Sequence, residues 1–259
     1  MTTLIAVGSW RGIGASTSAL LLAAAAAATG EQAWLIEADP AGAVLASRAD
    51  ELAGGLAGLE RVAFHSSGEP PHRALEGAAR RLGDVSVVTG AWDSFQAWAT
   101  VASPRQPWVE GLRRLDGVVV VDVGSLRGGG VPTWPIVEMA DVLMMVTSPE
   151  PGSLTSTVAW MDAKGQSAPG VQGLSLDTSR LLVVDAPVAT GARFTSDVAA
   201  ELGGRFAGWW PWEPKVIDHL HRGGSLDHRA IRRFALPRAV TATLSSLTVD
   251  RHGAVGVSS

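Results

Sequence analysis

Short apolar runs recur along the chain and alternate with longer stretches of helical spacing. The runs Leu4–Val7, Ala33–Ile36, Arg61–Phe64, Val85–Val88, Val118–Val121, Val142–Val146, Leu181–Val184 and Phe206–Trp209 predict strands. Several, "GVVVVDVG" and "DVLMMVTS" among them, are apolar without alternation, as in strands covered on both faces. Helical patterns fit between them at Ala15–Thr29, Pro71–Leu82, Trp108–Leu115, Leu154–Lys164, Thr195–Leu202 and Ala230–Leu247. This alternation predicts an α/β fold, a mostly parallel twisted sheet of about seven or eight strands flanked by helices. "SLRGGGVPTWP" and "KGQSAPGVQG" read as surface loops, so residues 1–259 are expected to form one domain with about a dozen flexible residues at its end.

Composition narrows the classes. Hydrophobic residues make up 46% of the chain and charged ones 18%, which predicts a large core rather than disorder. A net charge of −4 argues against a chain coated by nucleic acid, though not against a local basic patch. With no cysteine, disulfides, thiolate catalysis and cysteine metal sites are excluded. The run Leu20–Ala28 is too short for a bilayer span, which needs about 20 apolar residues. A cytoplasmic protein without an integral membrane segment is expected, drawn to a membrane or pole only by a partner.

In such sheets ligands bind beyond the carboxyl ends of the strands, so the segments following each strand carry the chemistry. After the first comes Gly8-Ser9-Trp10-Arg11-Gly12-Ile13-Gly14-Ala15-Ser16-Thr17, leading into an alanine-rich helix. Gly12 and Gly14 would let backbone N–H groups approach phosphate oxygens, and a helix N-terminus favours an anion. Glu37 and Asp39 follow the second strand and Asp122 ends the fifth. Strand-end carboxylates beside a phosphate loop are a usual way to hold magnesium. Each motif alone also reads as a helix cap or a solvated turn; their order and placement favour the ligand reading.

Those motifs resemble the ParA/MinD group of P-loop ATPases, which carry a deviant Walker A loop. Where the group reads K-G-G-x-G-K-[ST]-[ST], this chain reads Trp10-Arg11-Gly12-Ile13-Gly14-Ala15-Ser16-Thr17. "EADPAG" from Glu37 is similar to the group's D-x-D-P-x-G, and Asp122 stands at the Walker B aspartate. "ADVLMMVTSPEPGSLTSTVAWM", "LLVVDAP" and "FAGWWPWEPKVIDHLHRGG" resemble later segments, so the likeness reaches about Gly224. It implies a P-loop NTPase-like fold that binds ATP or ADP with Mg2+ and forms a homodimer. Loop residues Arg11 to Thr17 would meet phosphate, and Ser16, Glu37 and Asp122 the metal. Asp39 would orient the attacking water in an active enzyme, while Asp185 and Pro211 would lie beside the base. Such proteins place pili, secretion systems, division septa or partitioned DNA, which implies a protein partner in a machine of that kind.

The departures bear on activity. Both lysines of the group's motif are missing: Ala15 and Trp10 stand in their places, and Lys164 and Lys215 are the only lysines. Losing one charge-stabilising donor costs about 10²–10³ in rate, so losing two predicts weak or absent hydrolysis. Arg11 is the candidate substitute, although a planar guanidinium does not replace an ammonium at a tight site. An ionised Asp185 can accept from an adenine amino group but not donate.

Ten tryptophans and no tyrosine are present. Trp10 with Trp209, Trp210 and Trp212 could form a partner surface, against the ordinary reading of tryptophan as core. Lys215–Arg238 holds six Lys/Arg against Asp218 and Asp227, either a solvated face or a DNA-phosphate contact. Three functions follow: a degenerate nucleotide-binding regulator or positioning factor; a slow ATPase in which Arg11 compensates, partitioning DNA or protein cargo; and a nucleotide-free interaction module whose pocket Trp10 closes.

Overall fold

The computed structural model describes residues 2–52, 58–64, 68–102, 106–127, 132–167, 178–185 and 195–254. Its first half runs β1 (Thr3–Ser9), α1 (Ala15–Ala28), β2 (Ala33–Glu37), α2 (Leu45–Arg48), α3 (Gly58–Phe64) and α4 (Pro71–Ala78). There follow β3 (Arg80–Leu82), β4 (Val85–Val88), α5 (Ser94–Ala102), α6 (Pro107–Leu112) and β5 (Val118–Ser125). Then come α7 (Trp134–Met139), β6 (Val142–Thr147), α8 (Pro151–Ser167), β7 (Ser179–Val184) and α9 (Thr195–Leu202). The chain closes with β8 (Phe206–Trp210), α10 (Pro214–His221) and α11 (Ala235–Ala254).

The strands form one sheet in the order β3-β4-β2-β5-β1-β6-β7-β8. Every pairing is parallel except β3 with β4. Alternate residues feed two cores. Ile5 and Val7 face a layer that includes α1, α10 and α11, whereas Leu4 and Ala6 face the layer containing Trp108, Leu112 and Ile136. Burial on both faces explains why the central strands read as unbroken apolar runs. It also explains α1, whose Leu20–Ala26 are all buried: the helix is held between the sheet and α10 and α11, so it has no polar stripe.

Two expectations fail at the sheet edge. Arg61–Phe64 is not a strand but the end of α3, where Leu59 and Val62 are buried one turn apart while Arg61 and Phe64 face water. The segment expected as one helix to Leu82 stops at Ala78, and Arg80–Leu82 pairs antiparallel with β4 instead. The hairpin turns at Gly83, φ +55°, where a Cβ would lie 2.4 Å from the Gly223 carbonyl oxygen. Helices α2, α5, α7 and α10 had no sequence expectation. The last helix runs to Ala254; residues 255–259 lie outside the described set, as does most of "KGQSAPGVQG".

Candidate nucleotide site

Strand β1 lies between β5 and β6, where successive connections run to opposite sides of the sheet. A crevice opens beyond the strand ends at such a switch point. Register sets its floor: β5 Asp122 is level with Val7 of β1 and with Glu37 of β2. The loop from Trp10 to Gly14 crosses above it. Gly12 and Gly14 are left-handed, φ 71° and 72°, a conformation only glycine adopts cheaply. A Cβ on Gly12 would meet nothing within 4 Å, so the loop is open there. The Ile13 N–H donates to buried Ser9 Oγ at 3.1 Å. Gly14 caps α1 without a side-chain acceptor, and the first turn places Ala15, Ser16 and Thr17 at the positive end of a fourteen-residue helix.

Three carboxylates lie below the loop and do different work. Glu37 is buried, and its Oε1 accepts from the Val44 and Leu45 N–H groups at 3.1 and 2.9 Å. Its Oε2 accepts from the Gly90 N–H at 3.4 Å. Burial pushes its pKa up to about 7, with these N–H groups opposing and Asp122 adding to the rise. Through these bonds Glu37, expected beside the metal, staples the loop after β2 to the end of β4. Asp122 accepts from the Gly124 N–H at 3.0 Å and from Ser16. Desolvation pushes its pKa up to about 7 against the Ser16 bond. Asp39 accepts from the Ala41 N–H at 2.8 Å, and burial raises its pKa. It approaches so closely that a Cβ on Gly124 would fall 2.1 Å from its carboxyl carbon. The residues that fit a phosphate-bound magnesium are therefore Ser16 and Asp122. Among the described residues no three His, Asp or Glu side chains form a metal cluster by themselves.

Arg11, the candidate substitute, and Trp10, which stands in place of one lysine, both lean onto α8. The exposed Arg11 guanidinium donates to Ser156 Oγ at 3.3 Å. The Trp10 ring lies 5.7 Å from Trp160, which stacks on Trp134 at 6.1 Å. Trp10 is thus packed sideways rather than over the glycines. Arg48 on α2 was not singled out from the sequence, yet its charge reaches Asp122 and opposes a small part of the rise in that carboxylate's pKa.

At the far side, Asp185 Oδ1 accepts from the Trp209 indole N–H at 2.9 Å, and half-buried Pro211 follows β8. Trp210 departs from its expected place on a partner surface. It is fully buried, and its indole N–H donates to Thr243 Oγ1 of α11 at 3.0 Å. Of the four tryptophans expected on that surface, only Trp212 is exposed. Among the described residues the most exposed aromatics are instead Trp92 and Phe95, at 82% and 81%, with Trp98 one turn beyond Phe95. Their three-residue spacing, opposite buried Ala97 and Val101, was a signal available in the sequence. Between Lys215 and Arg238 the Lys and Arg side chains are exposed, as either reading of that region requires.

The glycine loop at the switch point of this parallel sheet defines the fold of the P-loop nucleotide triphosphatases. No family model matches the chain, and no curated protein matches it in sequence. Solved structures do. The cell division ATPase MinD of Pyrococcus furiosus is similar at TM-score 0.66 and 16% identity, over 96% of this chain and 99% of that one. A ParA family ATPase from Chlorobium tepidum gives 0.67 and 15%, over 94% and 98%. The septum site-determining protein MinD of Pyrococcus horikoshii, complexed with Mg-ADP, gives 0.60 and 15%, over 98% of each chain. The chain has the ParA/MinD-type fold. Among its described residues no helix is long and apolar enough to cross a membrane.

Proposed function

We propose that this protein binds ATP or ADP with Mg2+ in the glycine loop, hydrolyses it weakly or not at all, and acts as a homodimeric regulatory or spatial-positioning factor for a protein partner. One observation carries the reading: two left-handed glycines and a helix N-terminus face the crevice above the Ser16–Asp122 pair, while no lysine lies in the loop. The cradle supplies N–H donors for phosphate, and Ser16 and Asp122 supply oxygen for the ion. Magnesium would neutralise phosphate charge there. The charge that stabilises transfer is what the loop lacks, since Arg11 is turned to Ser156. The likeness in fold to a MinD that holds Mg-ADP supports the nucleotide.

Phosphate release from Mg-ATP, compared with Arg11→Ala, tests the turnover claim. The expected rate is near background and unchanged by the substitution. Robust turnover that Arg11→Ala abolishes would contradict the proposal and favour the slow ATPase.

A further inference from the structure

A second recess lies on another face of α8. Between α8 and α9, beside β7, a cavity of about 490 Å³ is open to solvent. Its floor is apolar: Leu154 and Val158 from α8, Leu181 from β7, Val198 and Leu202 from α9. Among the described residues its charged rim is acidic, formed by Asp162, Asp197 and Glu201. Asp162 is paired with Arg205 at 2.6 Å. Among the described residues, Asp197 and Glu201 have no cation partner. They stand four residues apart on the eight-residue α9, a like-charge spacing that works against the helix.

We infer that this cleft binds a small amphipathic organic cation, whose apolar body lies on the Leu154–Val158–Leu202 floor and whose ammonium or guanidinium group sits between Asp197 and Glu201. The volume is that of a small-molecule pocket, commonly about 300–1,000 Å³, lined mainly by apolar groups with a few polar ones at the mouth. The uncompensated carboxylates attract a cation and repel phosphate, so the nucleotide is the wrong ligand here. A bare metal ion would find no use for the apolar floor. The cleft is separate from the glycine loop. Leu154, Val158 and Asp162 line it, whereas Ser156 and Trp160 of the same helix face Arg11 and Trp10. The inference does not depend on nucleotide binding.

Calorimetric titration of the full chain with 4-phenylbutylammonium, against the uncharged 4-phenylbutanol and the anion 4-phenylbutyrate, tests it. The expected result is saturable one-site binding of the ammonium, at least about tenfold tighter than the alcohol, with no heat from the anion. Asp197→Asn with Glu201→Gln should reduce the ammonium to the alcohol's affinity, and raised salt should do so in part. Ala159→Trp, on an exposed position lining the cleft, should block both ligands while leaving the thermal melt in place. Equal affinity for alcohol and ammonium, ammonium binding that survives the double substitution, or no binding at millimolar concentration would overturn it. So would binding of a basic amphipathic peptide in the absence of small-cation binding.

Discussion

At the residue scale, the carboxylates below the loop show how position in the sheet decides a side chain's task. Glu37 and Asp122 are level in neighbouring strands, yet one holds backbone and the other faces a hydroxyl. The sequence marked both as acidic strand ends. It did not disclose Glu37's partners, because Gly90 lies 53 residues away and the N–H groups of Val44 and Leu45 come from a loop with no periodicity. Glu37→Ala would strand those donors in the interior. An orphaned buried donor costs about 1–3 kcal/mol, so a clear fall in denaturant midpoint is expected. Asp122 makes a pH prediction. Its folded pKa is raised from 3.8 to about 7, so the fold holds a proton that the unfolded chain releases in that window. The resulting stability is complete below the lower value and is lost as pH rises through the upper. Melting temperature without nucleotide should therefore fall from mildly acidic to neutral pH. Asp122→Asn, which can still accept from Gly124 and donate to Ser16, should flatten that slope in part, leaving the similar contribution of Glu37.

At the scale of elements, the central strands were legible because burial on both faces removes every polar position from them. The edge was not. A window as short as Arg61–Phe64 fits a period of two or of 3.6 equally well, and long-range packing chose the helix. Arg80–Leu82 carries two arginines in three residues, a composition that suits an exposed edge and hides a strand from a hydrophobicity reading. Tryptophan illustrates the same limit within β8, where Trp210 turns onto α11 and Trp209 onto Asp185. Trp210→Ala should cost about 3–5 kcal/mol, a large fall in the thermal melt. Phe95→Ser on α5 should stay within about 0.5 kcal/mol of the parent. A reversed order of the two melts would mean that the assigned burial of these aromatics is wrong.

At the scale of the molecule, the sheet order brings one loop and its carboxylates to a single switch point, and this much followed from the order of motifs along the chain. That the loop holds no lysine was legible in the sequence; where Arg11 and Trp10 go depended on α8, more than 130 residues further on. The account rests on the loop still gripping phosphate without them. Calorimetry of the purified protein with ATP, with and without magnesium, tests that most directly. The account predicts micromolar ATP affinity that weakens when magnesium is withheld, with Asp122→Asn losing the difference. No heat at millimolar ATP in either condition would contradict it and leave the crevice without its proposed ligand.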